Sequence, residues 1–248
     1  MSVADLYRNR GVNPLAVQGG LMRLPLDANT YGLWWCNEGS GSVLNDKAAT
    51  PHNGTIVNPV WSAGGPWGVG LDDAAGSLYV NFGNYGDPTT GSLTVEAVID
   101  AYGMSTTGTE WGISIMSKGG WGATGWWLGI VDSADVAHDG KILFITRNAA
   151  AQKLSYSTTA IPSLHTCYVA GVLDRATGYQ RLFINGAQEE ADVAQSADTI
   201  TSTTALQITR FSPAPMTTYK GKLYSFRLSL AARSAAEILT NAKLMGFA

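Results

Sequence analysis

Apolar and polar side chains alternate along residues 93–100. Leu93, Val95, Ala97 and Ile99 are apolar, and the even positions are polar at Thr94, Glu96 and Asp100, with Val98 the exception, the period of a strand with one face in a core. Cys167–Leu173 and Gln180–Ile184 are apolar enough for the middle of a sheet, and Asp174-Arg175-Ala176-Thr177-Gly178 between them reads as a hairpin loop. Asn185-Gly186 then reads as a two-residue turn, because both residues accept the positive φ of a type I′ turn. From Tyr31 onward, Gly, Asn, Asp or Pro punctuates each short apolar run. The pattern predicts two packed antiparallel sheets over residues 31–231. One helix is predicted near 234–243, where Ser234 and Glu237 form a capping box ahead of Ile238, Leu239 and Ala242. Residues 1–30 lack strand alternation, and a short helix near Val3–Asn9 would be stopped by Gly11 and Pro14. The expected organisation is an N-terminal extension over 1–30 and one domain over 31–248.

Composition narrows the class. Only 14% of the 248 residues are charged, against about 25% in an average domain, while 45% are hydrophobic and 29 are glycine. Such a chain suits a well-buried sheet protein with uncharged polar loops. The net charge is −3, and Arg8 with Arg10 is the densest basic spot. A nucleic-acid binder needs a concentrated positive stripe, so nucleic acid is not an expected partner. Cys36 and Cys167 lie in apolar stretches and read as buried free thiols. The first twenty residues contain Asp5, Arg8 and Arg10 and no continuous apolar run, so no signal peptide is expected there, and no later stretch suits a bilayer. The expectation is synthesis in a cytoplasm without the usual secretory signal.

The order of segments resembles the laminin-G-like, concanavalin A-like lectin/glucanase jelly rolls. Leu33-Trp34-Trp35-Cys36-Asn37-Glu38-Gly39-Ser40-Gly41-Ser42 resembles the opening strand and turn, and His52-Asn53-Gly54-Thr55-Ile56 follows where the next short strand falls. Ser92–Ile99 matches the strand written "S-x-T-V-E-A-W-V", and Met116-Ser117-Lys118-Gly119 with Trp127-Leu128-Gly129-Ile130 looks like the central hairpin. Tyr168-Val169-Ala170-Gly171-Val172 and Leu182-Phe183-Ile184-Asn185-Gly186 fit the next pair. Tyr219-Lys220-Gly221-Lys222-Leu223, leading to Leu230–Glu237, resembles the last strand and closing helix. The resemblance spans about residues 31–244 and implies an all-β, two-sheet antiparallel jelly-roll sandwich with a short C-terminal helix. It says less about function, because the fold hosts lectins, glycanases, adhesion domains and virus surface proteins. Thr166 or His165 stands where relatives often carry Trp, and Tyr224-Ser225 replaces an acidic pair, so no structural calcium and no cofactor are expected.

Glycanases of this fold carry carboxylates at alternating positions of one strand, aimed into the cleft. Here Glu96 and Asp100 lie four apart without a third partner and read as solvated strand charges. His52, His138 and His165 share no metal spacing, no serine lies in a Gly-x-Ser-x-Gly elbow, and Asp132, Asp135 and Asp139 form a loosely acidic loop. No catalytic residue is assigned, and the chain is read as a non-enzyme. The eight tryptophans include the adjacent pairs Trp34-Trp35 and Trp126-Trp127, and neighbours on a strand point to opposite faces. Tyr102, Trp111 and Trp121 sit in glycine-rich segments. Together with Trp126 and Trp127 they are the candidate contacts to a glycan or partner, since exposed rings suit sugar faces and protein interfaces.

Three functions compete. The first is a virion surface protein, such as a phage decoration or fibre component, with Leu6, Tyr7, Val12, Leu15, Leu21 and Leu24 of the extension as an assembly arm. Its partners would be other structural proteins in a homo-oligomer or lattice. The second is a carbohydrate-binding module using the loop aromatics, and the third a glycan hydrolase or lyase.

Overall fold

The computed structural model describes residues 23–63, 69–101, 112–119, 123–131, 135–161, 165–195, 198–210 and 219–248. Short strands open the chain: β1 (Gly32–Trp35), β2 (Val43–Leu44), β3 (Gly54–Val57), β4 (Trp61–Ala63), β5 (Val69–Asp72) and β6 (Tyr79–Asn81). Longer ones follow: β7 (Leu93–Ala101), β8 (Ile113–Lys118), β9 (Gly125–Ile130), β10 (Lys141–Arg147), β11 (Gln152–Ala160), β12 (Thr166–Asp174) and β13 (Tyr179–Ile184). The chain closes with β14 (Ala187–Gln188), β15 (Val193–Ala194), β16 (Leu206–Ile208), β17 (Gly221–Ser229) and the helix α1 (Ala235–Met245).

The strands form two antiparallel sheets. The first has nine strands in the order β14-β13-β12-β7-β17-β5-β4, with β1 on β17 and β15 on β13. The second has eight, in the order β11-β10-β9-β8-β16-β6-β3-β2. Their inner faces enclose the main core, which includes Trp34, Val95, Ile99, Trp126, Leu128, Phe144, Val169, Leu206 and Phe226. This is the sandwich that the alternation predicts. The loop 174–178 joins β12 to β13 as expected, and Asn185 and Gly186, with φ of 50° and 88°, make the tight turn into β14. Cys36 and Cys167 are buried and free, and burial, with Asp100 nearby, pushes the Cys167 thiol up to about 12.

The C-terminal helix begins at its predicted cap. Ser234 accepts from the Glu237 N–H, and the Glu237 carboxylate accepts from the Ser234 N–H. The helix runs two residues further than expected, to a left-handed Gly246. Its buried face is Ile238, Asn241, Ala242 and Met245, whereas Leu239, expected on that face, is exposed.

One expectation about β7 is corrected. Its odd residues do enter the core, yet its other face is not solvated. That face packs under α1 and the segment before β1, so Leu24, Val98, Tyr168, Phe183, Ile238 and Met245 make a second apolar cluster. Leu24, expected in an arm reaching a neighbour, is thus wholly buried against its own sheet. The other arm residues, Leu6, Tyr7, Val12, Leu15 and Leu21, and the helix near Val3–Asn9 lie outside the described residues.

Candidate ligand-binding face

Glu96 is the first correction at the level of chemistry. It has no solvent exposure, and its carboxylate accepts from Arg227 Nε at 2.6 Å and Nη2 at 2.7 Å, from the Tyr168 hydroxyl at 2.5 Å, and from Asn241. Arg233 Nε lies 3.2 Å from the same group. Glu96 is a buried ion-pair centre, because α1 and residues 23–27 cover the strand face that the alternation leaves polar. Asp100, four residues along, is half-buried.

The network extends to Asp27, which accepts from Arg233 Nη1 at 2.7 Å and Nη2 at 2.8 Å. Burial raises the Asp27 pKa, but the hydrogen bonds and charge of Arg233, helped by Arg227, outweigh it and hold the carboxyl at about 2 against an ordinary 3.8. A depressed acid stabilises the fold above its unfolded-state pKa and loses that contribution as protons bind. The Asp27 clamp is therefore expected to be complete above about pH 4 and lost as the pH falls to about 2. Acid titration of Asp27→Asn should lack that part of the wild-type curve; identical curves would contradict the clamp.

The aromatic candidates are distributed as follows. Trp34 enters the core, and Trp35 packs outward, donating Nε1–H to Leu24 O at 3.1 Å beneath Arg23. Trp126 enters the core and donates to Gly86 O, while Trp127 points to the outer face of the eight-stranded sheet. Alternation therefore holds, but neither ring of the second pair presents a face to solvent, Trp126 being 1% and Trp127 3% exposed. The Trp127 indole lies over Gly129, where a Cβ would come within 2.3 Å of Nε1. It packs with Val131, Leu143 and Ile145. Tyr102, Trp111 and Trp121 lie outside the described residues. The nearest ends of β8, Ile113 and Lys118, stand about 17 Å apart, so the segments with Trp111 and Trp121 join opposite ends of that strand.

The outer face of the eight-stranded sheet is nevertheless the place where polar and aromatic groups converge. One row of paired residues crosses every strand of it: Leu154, Ile145, Trp127, Ser117, Gln207, Asn81, Thr55 and Val43. The row is apolar at the β11 end and polar from β8 to β3. At the apolar end, His138 stacks on Tyr156 with centroids 4.0 Å apart, its Nδ1 2.8 Å from Asp135 Oδ2.

At the polar end, Leu206 and Ile208 enter the core, so Gln207 between them faces outward. It is only 6% exposed, yet its Oε1 is buried and accepts no hydrogen bond among the described residues. Ser114 Oγ, on the same face, is likewise buried without a partner. Tyr79, two residues before Asn81 on β6, lies under the Arg210 guanidinium at 4.5 Å. The described arginines Arg147, Arg175, Arg181, Arg227 and Arg233 donate to acceptors in the chain, and Arg23 reaches the Asn37 amide oxygen. Among the described residues, Arg210 is the arginine whose guanidinium has no acceptor.

Tyr79, Asn81, Gln207 and Arg210 were not among the candidates from sequence. The alternations Tyr79-Val80-Asn81 and Leu206-Gln207-Ile208 do assign the polar residues to an outer face. That β6 and β16 are neighbours, across well over a hundred residues of chain, is a property of the fold alone.

A family model described as concanavalin A-like lectin/glucanases superfamily matches residues 73–239. No curated protein matches the chain. Among solved structures, domain 4 of the GH43 extracellular arabinanase AbnA from Geobacillus stearothermophilus, in complex with arabinotriose, is 12% identical. The match covers 88% of this chain and 100% of that one, with a TM-score of 0.64. The botulinum neurotoxin serotype G binding domain is 13% identical over 87% of this chain and 51% of that one, with a TM-score of 0.62. The serotype D ligand binding domain in complex with N-acetylneuraminic acid is 14% identical over 87% and 50%, with a TM-score of 0.61. The chain spans about half the length of these neurotoxin domains. At such identities the likeness is one of fold. The family model, matching well over half of the residues, carries the assignment: this chain belongs to the concanavalin A-like lectin/glucanase superfamily.

Proposed function

We propose that this is a non-catalytic binding domain that seats a glycan around β6 on the outer face of its eight-stranded sheet, away from the buried Trp127. The observation that carries the reading is the Arg210 guanidinium lying 4.5 Å over the Tyr79 ring beside Asn81, three half-buried side chains on that face. An aromatic ring beside a few fixed polar groups suits a sugar, which presents an apolar face and a rim of hydroxyls. Two fold relatives, one bound to arabinotriose and one to N-acetylneuraminic acid, favour a sugar over other ligands. The confinement of Glu96 within its ion pairs supports a site without catalytic acids. On a glycan array the wild-type protein should bind at least one glycan, and Tyr79→Ala with Asn81→Ala should abolish that signal while the far-ultraviolet spectrum shows the protein still folded. An empty array at high protein concentration would refute the reading.

The wider role we propose is that of a virion surface component, a decoration or fibre protein in a homo-oligomer or lattice. The anchor at residues 23–27 favours it: Leu24, the Pro25 carbonyl under Arg227, and Asp27 fasten the chain to the sheet just after the segment carrying Leu6, Tyr7, Val12, Leu15 and Leu21. A fixed base lets a preceding apolar segment bear on a neighbouring subunit with less loss of freedom in the domain.

A further inference from the structure

We propose that Arg210 binds a carboxylate on the sugar, so that this face selects acidic over neutral glycans; the proposal rests on the glycan reading above. The Arg210 guanidinium is half-buried, lies 4.5 Å over the Tyr79 ring, and meets no carboxylate, carbonyl or amide oxygen among the described residues. Stacking occupies one face of the guanidinium plane and leaves its edge, where the N–H donors lie, for a planar two-oxygen acceptor. Elsewhere this fold does not leave such a group idle: Arg227 and Arg233 are saturated by Glu96, Asp27 and Ser229.

The surrounding groups sort donors from acceptors. Asn81 Oδ1 already accepts from the Gly83 N–H at 2.8 Å, which commits its oxygen and leaves its NH₂ to donate. Gln207 sits directly opposite Asn81 and is buried beside it. Tyr79 lies on the same face as Asn81, roughly 7 Å along the strand. Two donor groups within that span, the Arg210 guanidinium and the Asn81 amide, match the two oxygens of a carboxylate. The acidic corner at Asp135 and Tyr156 does not cancel the charge of Arg210. It lies on the far side, five strand spacings or roughly 24 Å from β6, against a screening length of about 8 Å at physiological salt.

The test is calorimetric titration of the whole protein with two matched pairs. One pair is a galacturonate trisaccharide and its methyl ester, and the other is sialyllactose and lactose. At least one acid should bind and its neutral counterpart should not, with affinity falling as salt rises. Arg210→Gln should weaken the acid roughly tenfold or more, Arg210→Lys should recover part of the loss, and Asn81→Asp should abolish binding by repulsion. Unchanged melting temperatures establish that the variants are folded. Equal binding of acid and ester, retention of acid binding in Arg210→Gln, or an array on which only neutral glycans bind would overturn the proposal while leaving the glycan reading in place. Binding of no glycan of either kind would overturn both.

Discussion

Glu96→Gln should destabilise the protein by about 3–5 kcal/mol, a fall in melting temperature of roughly 6–20 °C for a chain of this size. The carboxylate is fully buried and neutralises Arg227, which is equally inaccessible, while its remaining oxygen capacity serves Tyr168 and Asn241. Removing its charge leaves a guanidinium in the interior with one neutral amide oxygen, the Pro25 carbonyl and the edge of Asp27 to offset it. The cost arises from that stranded charge and not from the worth of the pair itself. A double variant, Glu96→Gln with Arg227→Met, should therefore recover much of the loss. Equilibrium denaturation of the three proteins measures this directly. An unchanged midpoint for the single variant would mean that the carboxylate is not the centre of the network.

Two N-terminal deletions should behave very differently. Removing residues 1–22 leaves Leu24, Pro25 and Asp27 in place and should leave the melting temperature almost unchanged. Removing residues 1–28 takes away a wholly buried leucine, whose truncation to alanine alone costs about 2–5 kcal/mol, and deprives Arg233 of both its Asp27 hydrogen bonds. It also frees the Trp35 indole N–H, which now donates to Leu24 O. The longer deletion should collapse the stability of the domain, and its loss of attachment to any assembly would say nothing about an arm. The shorter deletion isolates the arm: lost attachment with an unchanged melting temperature supports it, and retained attachment removes it. Equal stability of the two truncated proteins would contradict the anchor.

Much of the architecture was legible because it depends on local chemistry. The period of two in β7, the Asn185-Gly186 turn with both φ positive, and the Ser234–Glu237 box each involve residues close in the chain, whose conformations are decided by their own sterics and hydrogen bonds. That the two tryptophans of each adjacent pair face opposite ways follows equally from alternation. Even the position of the indole over Gly129 leaves a trace, since a residue without a side chain two places along the strand clears space for it.

What alternation could not supply was what stands over each outward face. Glu96 looks like a solvated strand charge until α1, more than 130 residues away, is laid across it and Arg227 is brought alongside on β17. Trp127 looks like an exposed sugar platform until its face of the sheet is covered. Leu24 looks like part of an arm until the outer face of the nine-stranded sheet is there to receive it. The candidate site is of the same kind: Tyr79 and Arg210 meet only because β16 inserts between β6 and β8, strands adjacent to it in space and remote in sequence. The sequence by itself therefore determined the strands, the turns and the sidedness of each residue, which are local properties of backbone and side chain. The tertiary structure alone decided which outward groups are buried, paired or left with unused hydrogen-bonding capacity, because burial and ion pairing depend on distances between elements that no local pattern encodes.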